Sequence, residues 1–265
     1  MPFRVSTEQI RQEATAMKYA TVLNNMGGGT FRRKDVLNAL LKEYPDYNIR
    51  SFNRHFSRFL SNGLIENVGR DLYIAVPGGT AKEAYSYRSP SKRFSGVLSF
   101  LDSEFGSADF LMYETIQLNE FFDHQTAQNI IVVSAEKMLT DAVFEKLRER
   151  FRPVMLSSGP YDIRRYTEND LVVVEKLSSR YPKSRTDKHS YSIEKLMVDI
   201  FAERTMRSLF SPGDYPSAVE NMFRMYRVNE TSMFNYAKMR HKDTKIRNML
   251  RNETGVKLYT DGETR

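Results

Sequence analysis

Between Asn48 and Leu64 the chain reads NIRSFNRHFSRFLSNGL, with three arginines, three phenylalanines and no carboxylate. At about 100° per residue, Ile49, Phe52, Phe56, Phe59 and Leu60 fall in one arc, and Arg50, Arg54, Ser57, Arg58 and Ser61 in the opposite one. That spacing predicts a helix with a ring-lined core face and a cationic outer face. A solvated helix ordinarily mixes Glu with Lys to gain pairs one turn apart, and this one has no acid to offer them. Taken alone, the outer face reads equally as a solvated surface or as one awaiting an anion. Its neighbours have to decide.

Downstream, Asn62-Gly63 closes the helix, and Leu64–Val68 and Leu72–Val76 read as two short strands joined by Gly69, Arg70 and Asp71. Upstream, Ser6 and Gln9 form a capping-box pattern that opens a first helix from about Thr7 to Met26. Gly27–Gly29 stops it; without a preceding strand or a GK[ST] ending, these glycines read as a turn and not a phosphate loop. Phe31 suits a short strand. RRKDVLNALLKEY places Val36, Leu37, Leu40, Leu41 and Tyr44 on one side of a second helix that Pro45 ends.

Three helices followed by a hairpin is the winged-helix order, in which the third helix enters the DNA major groove and the hairpin tip lies beside the backbone. On that expectation Arg50, Ser51, Arg54, Ser57 and Arg58 face base edges or phosphates, Arg70 sits at the wing tip, and Arg32, Arg33 and Lys34 add phosphate contacts. The rings then hold the helix in place while the arginines stay free.

The formal charge is +7 and the pI near 9.4, which suits a polyanionic partner. Residues 1–76 carry 11 basic and 7 acidic side chains against 29 and 26 in the remaining 189, so the excess is denser at the N-terminal end. No cysteine is present, which excludes disulfides, thiolate zinc sites and cysteine nucleophiles, and makes a cytoplasmic location the simpler expectation. The first twenty residues lack the apolar run of a signal peptide, and no stretch approaches 18 apolar residues. Secretion and membrane association are not expected.

The 265 residues suit two domains: 1–76 as the winged helix, 77–93 as a linker rich in Gly, Pro and Ser, and 94–265 as an α/β domain with a helical end. In the latter, Phe94, Val97, Leu98 and Leu101 mark a helix, DFLMYETI and QNIIVVSAEK strands, DAVFEKLRERF a helix, PVMLSS a strand, and YDIRRYTENDLVVVEKL one or two more strands. Ile193, Leu196, Met197, Ile200 and Phe201 then line a helix, and helices follow over Ser217–Arg227 and Thr231–Leu250. The expected class is α+β / α/β.

With these elements in order, the chain resembles the AbiE-type (AbiEi-like) antitoxins of bacterial type IV toxin–antitoxin systems. The resemblance rests on LIENVGRDLY after the third helix, YETIQLNEFFDHQ with IIVVSAEK and VFEKL behind it, IEKLMVDIF, and YRVNETSMFNYAKMR. It implies a non-enzymatic phage-defence antitoxin and transcriptional repressor that binds double-stranded DNA at inverted repeats in its own promoter and neutralises a nucleotidyltransferase toxin. The second domain also distantly resembles the restriction-endonuclease-like fold, which keeps open a metal-dependent nuclease. A ligand-sensing regulator without a toxin is the other alternative.

That nuclease would need a D/E-x-K strand whose carboxylate and lysine share a face. Here Glu136-Lys137 and Glu175-Lys176 are adjacent, so each pair splits between faces. Glu120 and His124 lie four apart in LNEFFDH, readable as a metal pair or as a hydrogen-bonded structural pair, and the structural pair is favoured. Neither cofactor nor metal is expected. AKMRHKDTKIRNMLR holds Lys238, Arg240, Lys242, Lys245, Arg247 and Arg251 against Asp243, either as a second basic surface or as a solvated face. Tyr85 and Tyr87 in the linker read as packing residues or as stacking platforms.

Overall fold

In the computed structural model, residues 19–26, 28–76, 82–126, 128–157 and 170–260 are described. The predicted start of the first helix, with Ser6 and Gln9, lies outside them. The molecule is a mixed α/β protein that divides into two units: Met1–Glu83 with the short segments Asn229–Thr231 and Tyr259–Arg265, and Ala84–Val228 with Ser232–Leu258.

In the first unit the order is α1 (described over residues 19–25), β1 (Thr30–Phe31), α2 (Arg33–Glu43), α3 (Phe52–Ser61), β2 (Ile65–Gly69) and β3 (Leu72–Ala75). Phe52, Phe56 and Phe59 of α3 are buried with Tyr19, Val22, Leu23, Phe31, Val36, Leu40, Ile65 and Tyr73 in one core. The strands form an antiparallel sheet in the order β1-β3-β2, pairing Phe31 with Tyr73 and Asn67 with Tyr73. Asp71, at the hairpin tip, has φ 52°, a left-handed conformation that Asp tolerates better than most residues.

Gly63, with φ 69°, ends α3 through two bonds, Leu64 N–H to Phe59 C=O at 3.0 Å and Gly63 N–H to Leu60 C=O at 3.3 Å. This is the Schellman arrangement, which satisfies carbonyls the helix end leaves open. At the other end the helical periodicity misplaces one residue. Ile49 is 56% exposed and not in the core. Ile49 lies ahead of α3, in a separate 3₁₀ turn, Ile49–Ser51, so the α-helical period that aligns Phe52, Phe56 and Phe59 does not extend to it.

The second unit is built on a four-stranded sheet, β4 (Phe110–Glu114), β5 (Ile130–Ala135), β6 (Val154–Leu156) and β7 (Leu171–Lys176), in the order β4-β5-β7-β6. β5, β7 and β6 run parallel, and β4 is antiparallel at the edge. Alternate residues divide the strands between two cores, as the pleat requires. Phe110, Met112, Ile131, Val133, Val172 and Val174 meet α4 (Lys92–Phe105) and α5 (Thr140–Arg150). Leu111, Tyr113, Ile130, Val132, Leu171 and Val173 meet a helical layer on the opposite face. That layer comprises α6 (Ile193–Ala202), α7 (Arg204–Leu209), α8 (Tyr215–Met225), α9 (Glu230–Met239) from Ser232 onward, and α10 (Asp243–Glu253). Helices on both faces explain why Leu171–Val174 is an unbroken apolar run.

The structure corrects three expectations. The run Thr231–Leu250 is two helices: α9 stops at His241, φ 54°, where Lys242 N–H bonds Ala237 C=O at 2.8 Å and His241 N–H bonds Lys238 C=O at 3.0 Å. LNEFFDH is not a helix; a 3₁₀ segment covers Thr115–Glu120, and the chain turns at Phe121. The stretch read as a linker is anchored within the second unit from Tyr85 onward. Tyr85 is buried in its core, and Glu114 Oε1 accepts from Tyr87 OH at 2.6 Å and Ser91 N–H at 2.7 Å.

Candidate functional site

The outer face of α3 and its leading turn presents Arg50, Asn53, Arg54, Ser57 and Arg58, all exposed. Among the described residues, the guanidinium groups of Arg50, Arg54 and Arg58 have no hydrogen-bonding or ionic partner. The helix carries no acid in its first turn, and none occurs between Asp46 and Glu66. Ser51, half-buried, is structural: its Oγ donates to Asn48 C=O at 2.7 Å, while Asn48 Oδ1 accepts from Arg50 N–H at 3.0 Å. These two bonds hold the turn that leads into α3.

Behind the face runs a polar chain. Tyr19 OH bonds Tyr47 OH, which lies 3.0 Å from Nδ1 of His55 on α3, so α1, the α2–α3 loop and α3 are tied together. The His55 imidazole is pushed below its ordinary value by burial, then by the charges of Arg54 and Arg58. Its neutral form suits the Tyr47 contact and adds no further repulsion to the arginines.

Of the other residues expected to touch an anion, Arg70 is exposed at the hairpin tip and Lys34 on α2. Arg32 is the residue before α2, its N–H bonded to Asp35 Oδ2 at 2.8 Å. Arg33 lies with its guanidinium 4.9 Å from the ring centre of Phe56, covering the core from outside.

The basic run of α9 and α10 does not form one surface. Arg240 turns inward and bonds Glu203 Oε1 at 2.6 Å, Ser178 Oγ at 2.9 Å and Tyr236 OH at 3.1 Å. Arg247 lies over Phe234 at 3.6 Å and donates to Asp243 at 3.2 Å. Lys238 and Lys245 are exposed on different helices, Lys242 sits half-buried at the break, and Arg251 is exposed on α10 and has a partner. The left-handed residue His241 separates the two groups.

The pairs weighed above have other partners, and Glu120 and His124 do not form the structural pair that was favoured. Glu120 accepts from Tyr226 OH at 2.5 Å, whereas His124 is mostly exposed and lies 3.5 Å from Asp214. Glu136 Oε1 accepts from Asp109 N–H at 2.8 Å. Glu175 points into the helical layer while Lys176 is exposed.

Glu175 belongs instead to a buried polar cluster that sequence reasoning did not assemble. Its Oε1 accepts from Ser134 Oγ at 2.7 Å, and Ser134 Oγ is 2.6 Å from Tyr191 OH. On α6, Lys195, 2% exposed, donates to Asp199 Oδ2 at 2.5 Å, and Tyr236 OH donates to Asp199 Oδ1 at 2.9 Å. Burial, then the charge of Glu203, pushes the Glu175 carboxyl far above its usual range, and a hydrogen bond joins the two acids. Burial alone would also raise Glu203, but hydrogen bonds from Glu175 and Arg240 outweigh it and hold Glu203 below its usual range. Two cations, Lys195 and Arg240, thus face Glu203 and Asp199, the Asp199 carboxyl being pushed up by burial against the opposing charge of Lys195, with Glu175 neutral. The four-residue spacings Lys195–Asp199–Glu203 and Tyr236–Arg240 are the trace of this cluster in the sequence.

Fold and site together define a two-unit α/β protein with an unpaired arginine face on one unit and a neutralised ionic core in the other. The chain belongs to the DUF6577 family, a family of unknown function, whose model matches residues 51–255. No curated protein matches it. Among solved structures it is similar to the RV2827C protein from Mycobacterium tuberculosis, with 11% identity over 89% of this chain and 80% of that one. The TM-score is 0.29, too slight a likeness to carry an argument. No helix among the described residues is long and apolar enough to cross a membrane.

Proposed function

We propose that the first unit is a winged helix that binds double-stranded DNA in the cytoplasm, with α3 in the major groove and the β2–β3 hairpin against the backbone. One observation carries this reading: Arg50, Arg54 and Arg58 stand exposed and unpaired on a helix face without a carboxylate. A face left uncompensated in this way gains most from phosphate and guanine contacts. Arg70 and Lys34 supply flanking charge, and Arg33 adds to it from above Phe56.

The resemblance to AbiE-type antitoxins extends the proposal to a repressor of its own operon that neutralises a nucleotidyltransferase toxin, with neutralisation assigned to the second unit. The test is a gel-shift titration of the protein's own upstream region against scrambled DNA over a range of salt concentrations. Specific retardation with a steep salt slope supports the reading; equal affinity for both DNAs refutes specific repression. Co-expression with a neighbouring nucleotidyltransferase tests the antitoxin part separately.

A further inference from the structure

Two uncharged side chains stand among the arginines at the leading end of α3 and have no task within the unit. Ile49 is 56% exposed in the turn Ile49–Ser51, the one large aliphatic side chain so exposed among the described residues of the first unit. Asn53, four residues on, is exposed, and its carboxamide bonds no described residue. The turn that carries Ile49 is held by the Asn48–Arg50 and Ser51–Asn48 hydrogen bonds, so both side chains project from a fixed backbone.

We infer that Ile49 and Asn53 are specificity residues that read A·T pairs about two steps apart, Asn53 through adenine N6 and N7 and Ile49 through the 5-methyl group of thymine. The inference rests on the DNA reading above and adds the base class that the arginines do not define. A carboxamide carries the donor and acceptor that match the adenine edge, and an aliphatic side chain matches the thymine methyl, the one apolar group in the major groove. Groove-docking helices present their N-terminal residues to base edges, which is where these two lie. Ile49, in the 3₁₀ turn, and Asn53, in the first turn of α3, are four residues apart at a rise of about 1.5–2.0 Å each, a separation of about 6–8 Å that is close to two base-pair steps of about 3.4 Å. Arg54, beside Asn53, then falls next to a flanking base pair, where guanidinium favours guanine.

The experiment starts from duplexes selected by the full-length protein from a random pool. The tightest is remade with deoxyuridine for thymidine, or with 7-deazadeoxyadenosine for deoxyadenosine, one position at a time. The expected result is two required A·T pairs, one whose adenine Asn53 reads and one whose thymine Ile49 reads. Loss of N7 at the first should weaken wild-type binding about fivefold or more, with little further effect in Asn53→Ala, because bidentate contacts of this kind discriminate at least that strongly. Loss of the methyl should weaken it about fourfold, and not in Ile49→Ala, as expected for one buried methyl group. Enrichment without a required A·T pair, or analogue effects that persist in both variants, overturns the assignment of Ile49 and Asn53 and leaves the DNA reading standing. Failure to enrich any sequence overturns the DNA reading itself, and this inference with it.

Discussion

Replacing Glu175 by Gln tests whether the buried cluster holds a proton. The cluster balances only if Glu175 is neutral, because Lys195 and Arg240 already face Asp199 and Glu203. A Gln carboxamide can still accept from Ser134 and donate to Glu203, so it mimics the protonated acid. Below the unfolded carboxyl value, about 4.5, wild-type Glu175 is protonated in both states and adds no pH dependence. Above it the unfolded chain ionises while the folded chain keeps its proton, so stability falls as pH rises until the raised folded value is passed. Within that window the wild type should lose stability relative to Glu175→Gln as pH rises, by at most about 1.4 kcal/mol per pH unit. Urea unfolding of both proteins followed by circular dichroism at several pH values gives this difference directly. Parallel stability profiles would show that Glu175 is ionised in the fold, and that two cations and two anions do not account for the charge of the cluster.

Other substitutions probe the remaining elements. Lys195→Met leaves Asp199 buried with less compensation and should cost about 3–5 kcal/mol, read from the same unfolding curves. Phe56→Ala empties the centre of the first core and should cost about 3–5 kcal/mol there; a native-like melting curve would reverse the assigned faces of α3. His241→Gly removes the side-chain strain of a left-handed position and should raise stability by about 1 kcal/mol, whereas a loss would mean the histidine side chain contributes there. On the DNA-binding proposal, Arg54→Ala should weaken binding to the selected duplex by about 1–3 kcal/mol, and unchanged affinity would remove Arg54 from the interface.

Local pattern alone was enough to define most of the elements. The 3.6-residue spacing of Phe52, Phe56 and Phe59 announced α3, and Gly63 marked its end because a left-handed terminus favours glycine. The apolar runs in β5 and β7 signalled strands, and the structure covers both of their faces with helices. His241 closes α9 with the same hydrogen-bond arrangement, yet without glycine, so no local residue type betrayed the break between α9 and α10. Periodicity likewise put Ile49 in the core, because it cannot register that the α-helix begins only at Phe52. The cluster of Ser134, Glu175, Tyr191, Lys195, Asp199, Glu203, Tyr236 and Arg240 lay furthest beyond reach. Its members come from two strands, two helices and the residues that flank them, and a charge is read as solvated until the chain's packing brings its partner to it. The sequence determined which faces are apolar, since burial follows side-chain chemistry residue by residue. Only the tertiary structure decided which charges are free and which are spent on one another, because pairing depends on distances that span the whole chain.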